Sequence, residues 1–213
     1  MSRIVSIQLG RIRTFTEASG QAWKTATYKD PVEGPVLLTK EGFVGDTVAD
    51  RRFHGGPDKA ALVYGQDHYG YWLTDGFTEP LPPGAFGENL LVAGHSEKDS
   101  CIGDTYELGE ALVQVSQPRQ PCFKQARRWN IKDLVVRMNK AGRTGWYLRV
   151  VREGRVQAGD HFNLRERPCP EWPITRAHQV YHYGKSDRSA TAELAACPLL
   201  AENWRETLLE RLG

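Results

Sequence analysis

The sequence predicts a mostly-β, barrel-like body carrying a few helices, followed by a small C-terminal domain of three helices. Three observations support that expectation. Short apolar runs recur through the first two-thirds of the chain, each bounded by Gly, Pro or Asp. Pro168, Pro170 and Pro173 then fall close together and mark a stiff linker. Beyond them the sequence turns helical. The expected division is a body over 1–166 and a three-helix domain over 172–213.

The strands come first in order. Ile4-Val5-Ser6-Ile7-Gln8-Leu9 alternates with period two, as a half-buried strand does. Val36–Leu38, Ala60–Tyr64, Asn89–Val92, Ala111–Val115 and Trp146–Val151 are the further apolar runs, and their spacing favours a closed or nearly closed sheet. Gly45-Asp46, Gly103-Asp104 and Gly159-Asp160 read as turns, with Gly supplying positive φ and Asp capping the next segment. One helix is expected from about His68 to Trp72. Another is expected from Ile131 to Lys140, with Asn130 as N-cap and Gly142 past its end. In it Ile131, Leu134, Val135 and Met138 share one face and read as core packing. In the tail the helices are expected at 174–183, 190–196 and 202–212, with Trp204, Leu208, Leu209 and Leu212 as a packing stripe. Three short helices bury little alone, so they must pack on the body or on a partner, a second copy of the chain included.

Composition removes several classes of function. At 213 residues and 40% hydrophobic content the chain can bury a sizeable core, and it holds no run of 18 apolar residues that would span a membrane. The opening Met1–Ile7 lacks an apolar signal region and reads as a first strand, so a cytoplasmic setting is expected. Cys101, Cys122, Cys169 and Cys197 are widely separated, with neither zinc-ligand spacing nor a C-x-x-C pair. The net charge of +2 hides an asymmetry: from Arg119 to Arg155 only Asp133 and Glu153 oppose a dense run of Lys and Arg. Such a segment is either a solvated face or a field for an anionic ligand or acidic partner. No recognition motif accompanies it, so a nucleic-acid polymer is not expected.

Three stretches could carry chemistry. In Gln117-Pro118-Arg119-Gln120-Pro121-Cys122-Phe123-Lys124 two prolines stiffen a loop after a strand, and Cys122 stands between Arg119 and Lys124. Nearby cations favour a thiolate, although most free cysteines are small buried hydrophobes. In Phe53-His54-Gly55-Gly56-Pro57-Asp58-Lys59-Ala60 paired glycines let backbone approach a ligand, and His54, Asp58 and Lys59 supply polar chemistry; an ordinary turn would look the same. It is not a Walker loop, because the Gly, Lys and Ser/Thr spacing is wrong. In Gly84-Ala85-Phe86-Gly87-Glu88-Asn89-Leu90 the Asn89 amide either holds a polar ring or satisfies a strand end.

In chain order, with Ile102-Gly103-Asp104 ahead of the cysteine stretch, the motifs resemble those of MOSC-domain proteins, named after the C-terminal domain of molybdenum cofactor sulfurase. The chain is similar to stand-alone bacterial members of YiiM type, in which three helices follow the MOSC domain. The resemblance places the motif core at about 30–166 and implies a barrel-like fold and a molybdenum–pterin cofactor. It makes Cys122 the catalytic residue and the thiolate ligand of the metal, and His54, Lys59, Asn89, Arg119 and Lys124 the residues that hold the cofactor. The activity it implies is reduction of N-hydroxylated base analogues such as 6-hydroxyaminopurine. Without a flavin or nicotinamide fingerprint, electrons are expected from a separate reductase, a flavoprotein, and the basic segment is a candidate docking surface for it. Pyridoxal phosphate is not expected to bind. Phe53, Phe86 and Trp146 are aromatic candidates to stack a flat base, with core packing as the plainer reading. Two other roles compete: a sulfur carrier holding a persulfide on Cys122, and an interaction module that works through its tail.

Overall fold

The computed structural model describes residues 2–17 and 20–213. Its strands are β1 (Arg3–Gly10), β2 (Arg13–Thr16), β3 (Ala22–Thr25), β4 (Lys29–Val32), β5 (Val36–Thr39), β6 (Gly42–Phe43), β7 (Ala61–Gly65), β8 (Leu90–Ala93), β9 (Thr105–Leu108), β10 (Ala111–Pro118), β11 (Trp146–Arg152), β12 (Gly154–Val156) and β13 (Asn163–Glu166). The helices are α1 (Asp67–Thr74), α2 (Phe123–Trp129), α3 (Leu134–Ala141), α4 (Ile174–His182), α5 (Arg188–Ala195) and α6 (Glu202–Leu212), with a one-turn 3₁₀ helix at Pro57–Lys59. All six apolar runs form strands.

Eight strands make one curled sheet in the order β13-β9-β10-β11-β7-β8-β1-β4. Neighbours are antiparallel except β7 and β8, which run parallel because α1 carries the chain across between them. β7 is accordingly buried along its whole length. The sheet curls into a half-barrel, and the segment before β13 returns to β1, with Ile4 N–H donating to the Asp160 carbonyl at 2.8 Å and Gly159 N–H to that of Ile4 at 2.9 Å. Smaller sheets, β12-β5-β6 and the hairpin β2-β3, complete the body.

Two apolar layers hold the sheet. In one, Ile7, Val63, Leu90, Val113, Val115 and Leu148 pack in one continuous cluster with the tail residues Trp172, Ile174, Leu194, Trp204 and Leu208. In the other, Tyr64 on β7 packs with Trp72 of α1, with Phe86, and with Leu134 and Met138 of α3. The three tail helices therefore pack on the body of their own chain. The proline linker is fastened as well, since Ile102 N–H donates to the Trp172 carbonyl at 2.9 Å and Ile174 N–H to that of Ser100 at 2.8 Å. Among the described residues no helix is long and apolar enough to cross a membrane.

The structure corrects several expected details. Phe123–Trp129 is a helix, and Asn130 ends it in the left-handed conformation (φ 53°) instead of capping the next one. α3 consequently starts at Leu134, after Asp133. In α6, Trp204 and Leu208 face inward, while Leu209, a third of a turn further round, is 52% exposed.

Candidate functional site

An open cavity lies where β3–β4, the loop after β6, the Gly-Gly turn and the start of α2 meet. His54, Lys59, Asn89, Arg119, Cys122 and Lys124 all line it, although up to seventy positions separate them in sequence. β10 places Arg119 and Cys122: it runs out through Pro118, and Pro121 is buried against the body. Cys122 is then the residue just ahead of α2, partly buried, its carbonyl accepting the Gln125 N–H at 3.0 Å.

The cations differ in what they have left to offer. Arg119 is 5% exposed and donates to the Phe86 carbonyl at 2.7 Å and to that of Thr144 at 3.5 Å, so it brings fixed positive charge to the wall. Lys59 donates to the Phe53 carbonyl at 2.9 Å and keeps further N–H groups; burial lowers its pKa, and Asp58 opposes that. Lys124 has no hydrogen-bond or ion-pair partner among the described residues. His54 sits among all three. Burial first, then the charges of Arg119, Lys59 and Lys124, push its pKa down to about 4, so it is neutral at pH 7.

Asp46 and Lys29, which the sequence reading did not single out as site residues, line the cavity beside Asn89. The Asp46 carboxylate accepts from Gly10 N–H at 2.6 Å, Lys29 Nζ at 2.6 Å and Asn89 Nδ2 at 2.8 Å. Burial lowers the Lys29 pKa, with Asp46 holding it up. Asn89 also donates to the Gln8 carbonyl and accepts the Leu62 N–H, so its amide ties β1, β7 and the Asp46 loop together, as the strand-end reading has it. Gln125 lines the cavity too; its Nε2 donates to Phe86, and its buried Oε1 has no partner among the described residues. Tyr147 completes the wall, its phenol held protonated by burial.

Other motif residues serve the frame. Gly55 and Gly56 take positive φ in succession (77° and 84°), which turns the chain into the 3₁₀ helix. Asp58 points away from the cavity to Arg149 at 2.8 Å and accepts the Glu202 N–H of α6 at 3.1 Å. Glu88 is fully buried and organises its own loop, accepting from Gly84 N–H at 2.7 Å and Phe86 N–H at 3.1 Å. Asp104, also fully buried, takes Cys101 N–H and clamps Arg167 of the linker at 2.7 Å. Phe86 and Trp146 have no exposed surface and are core residues, whereas Phe53 is 64% exposed. The basic segment is largely tied internally: Arg127 pairs with Glu17, Arg137 with Asp75, Arg149 with Asp58, and Arg128 donates to the Thr27 and Gly84 carbonyls.

A family model described as the MOSC domain matches residues 50–163, and one described as a YiiM-like 3-alpha helix domain matches 172–212. The chain belongs to the MOSC-domain family. It is 39% identical over 208 residues to the Bacillus subtilis protein YflK, covering 98% of this chain and 93% of that protein. A Gibberella moniliformis protein named "Reductase" is 35% identical over 199 residues; these cover 92% of this chain but 35% of that longer protein. The crystal structure of YiiM from Geobacillus stearothermophilus superposes with a TM-score of 0.85 at 35% identity, covering both chains completely. The MOSC fold here is thus a curled half-barrel with its helical tail packed on it.

Proposed function

We propose that this chain is a reductase that holds a molybdenum–pterin cofactor in the cavity and removes the N-hydroxyl oxygen of small compounds such as 6-hydroxyaminopurine. The observation that carries the proposal is the meeting of Cys122 with Lys59, Lys124 and Arg119 on one open cavity. The donor set fits such a group. A soft thiol suits molybdenum, two lysines with N–H groups to spare suit a phosphate, and the unpaired Gln125 Oε1 suits a pterin rich in N–H donors. Among the described residues no three His, Cys, Asp or Glu side chains converge as a metal cage, and Cys122 is the one thiol among the residues that line this cavity.

Bound there, the cofactor would supply a metal that takes up the substrate oxygen while giving two electrons, which a separate flavoprotein would restore. The chain's residues bind and orient. Cys122 presents its sulfur from a rigid shoulder, Lys59 and Lys124 pair with phosphate, and Arg119 adds positive charge that the carbonyls of Phe86 and Thr144 fix in place. His54, being neutral, accepts or donates a hydrogen bond without adding a fourth positive charge. Asn89 and the Lys29–Asp46 pair keep the far wall polar.

The test is molybdenum and pterin content of protein from cofactor-competent cells, with Cys122→Ala and Cys197→Ser prepared alongside. The expected result is near-stoichiometric metal in the parent and in Cys197→Ser, and none in Cys122→Ala. Equal retention in all three would refute the assignment of Cys122. Metal in none, with sulfane sulfur on Cys122, would replace the reductase by a sulfur carrier.

A further inference from the structure

We infer that Cys169 and Cys197 form a modification site, at which a peroxide closes a disulfide that staples the linker after β13 to the helical tail. The site is separate from the cavity, which neither residue lines. Cys197 Sγ donates to Cys169 Sγ at 3.5 Å, so the two sulfurs touch although 28 positions separate them in sequence. Among the described residues they are the one hydrogen-bonded pair of thiols. Cys101 is buried too, but its sulfur turns to the Pro170 carbonyl at 3.7 Å.

Both backbones are held where the sulfurs meet. Pro168 and Pro170 flank Cys169 and restrict the chain there. The Cys169 carbonyl accepts Trp172 N–H at 3.0 Å, and Asp104 clamps Arg167 two positions earlier. Cys197 follows α5: its N–H donates to the Leu194 carbonyl at 3.1 Å, and its own carbonyl accepts Leu200 N–H at 3.2 Å and the Arg205 guanidinium at 3.3 Å. Pro168 and Leu199 meet over Gly103, whose missing side chain leaves them the room. A disulfide holds its sulfurs at about 2.0 Å, so closure draws them together by roughly 1.5 Å, a distance that side-chain rotation covers.

The residues are 7% and 5% exposed, so the oxidant must be small. Hydrogen peroxide is small and balances the step. One thiol attacks the peroxide: the O–O bond breaks, an S–O bond forms, and water leaves behind a sulfenic acid. The second thiol attacks that sulfur: the S–S bond forms, the S–O bond breaks, and the hydroxyl departs as water with the second thiol's proton. Two thiols have then given up two electrons, and the peroxide has become two waters. Burial first, then Cys197 and Glu171, push the Cys169 pKa up to about 12. The pair therefore rests as thiols at neutral pH and responds to sustained oxidant, not to traces. Just past Cys197, Ala201 N–H is held by the Ser116 carbonyl at 3.0 Å and Glu202 N–H by Asp58 at 3.1 Å. The staple thus ties the linker to the point where the tail meets the turn that carries Lys59.

The experiment treats folded protein with excess hydrogen peroxide, then blocks free thiols and maps tryptic peptides without reduction. Peptides 166–176 and 189–205 hold one cysteine each. They are expected as one linked species, lighter than their sum by two hydrogens. Relative to the same sample reduced with dithiothreitol, the midpoint of thermal unfolding is expected to rise by about 4–16 °C, the typical worth of a disulfide in a chain of this length. Cys169→Ala and Cys197→Ala should abolish the rise, and Cys101→Ala should keep it. Unlinked peptides from treated protein, linkage that appears only in urea, linkage of either cysteine to Cys101, or an unmoved midpoint would each overturn the staple. If an alanine variant does not fold, the peptide map of the parent decides alone.

Discussion

Replacing Asp46 with Ala tests the polar wall of the cavity most directly. The carboxylate accepts three hydrogen bonds, from Gly10, Lys29 and Asn89, at 2.6, 2.6 and 2.8 Å. The Lys29 and Asp46 side chains are only 9% and 12% exposed. The substitution therefore leaves an ammonium group desolvated and uncompensated, and removing one partner of a buried pair costs about 3–5 kcal/mol. For a chain of this length each kcal/mol lowers Tm by roughly 2–4 °C, so the expected drop is about 6–20 °C. The loss should also depend on pH. Burial already lowers the Lys29 pKa, and Asp46 opposes the shift, so without Asp46 it falls further. The unfolded chain then keeps the Lys29 proton to higher pH than the folded one. Stability of the variant accordingly rises with pH across that interval, and its deficit narrows as pH rises toward the ordinary lysine range. Urea denaturation at three pH values, on the parent, Asp46→Ala, Lys29→Met and the double variant, reads this out. The double variant lacks the orphaned charge and should be more stable than Asp46→Ala. A deficit below about 1 kcal/mol at pH 7, the worth of an exposed pair, or a double variant no better than the single one, would refute the reasoning.

The other predictions concern the tail and acid pH. Trp204→Ala should cost about 3–5 kcal/mol, because the ring is fully buried and stacks on Tyr181 at 4.0 Å. Unfolding should remain a single transition by near- and far-ultraviolet dichroism, since tail and body share one core; a separate early transition of the tail would contradict that. His54 and His178 should titrate near pH 4 by NMR, each lowered first by burial and then by neighbouring positive charge. The unfolded chain takes up these protons near pH 6.5 and the folded chain only near pH 4, so stability should fall as pH drops through that window. A flat stability profile there would count against both assignments.

How far the sequence discloses the fold depends on the kind of signal each segment carries. The central strands are legible because burial on one or both faces imposes an apolar pattern on them. β4, β9 and β13 are not, for they are short or polar, and β13 is an edge strand exposed along its length. α2 is hidden because Phe123-Lys124-Gln125-Ala126-Arg127-Arg128-Trp129 is polar around most of its surface and buries only Gln125 fully. Without that helix Asn130 looks like a cap for the next one; with it, the same residue ends a helix by adopting φ 53°. The cavity is legible where chemistry and spacing coincide, at Cys122 and around the Gly-Gly turn. Lys29 and Asp46 leave no local trace. Lys29 lies in an unremarkable polar run and Asp46 in what reads as a turn, and only the curl of the sheet brings the two together across seventeen positions.

The acids of the motifs show why recognition of a family and assignment of a site are separate steps. Asp58, Glu88 and Asp104 all belong to the stretches that identify the chain, yet none lines the cavity. Asp58 holds Arg149 of β11 and the first N–H of α6, and its own carbonyl accepts the Ser116 hydroxyl of β10 at 2.6 Å. The 3₁₀ turn that carries Lys59 is thereby fixed to the sheet and to the tail at once. Buried Glu97 does the same on the other side: it accepts Gly145 N–H at 2.8 Å and pairs with His68, while its carbonyl meets the Thr175 N–H of α4 at 3.4 Å. Gly145 in turn accepts the N–H of Arg119 at 2.9 Å. Two cationic positions of the cavity are therefore tied to the tail, Lys59 through its neighbour Asp58 by one hydrogen bond and Arg119 by a chain of three. The tail acts as a brace for the charge that the cavity presents, which gives a physical reason for the two parts to occur as one packed unit.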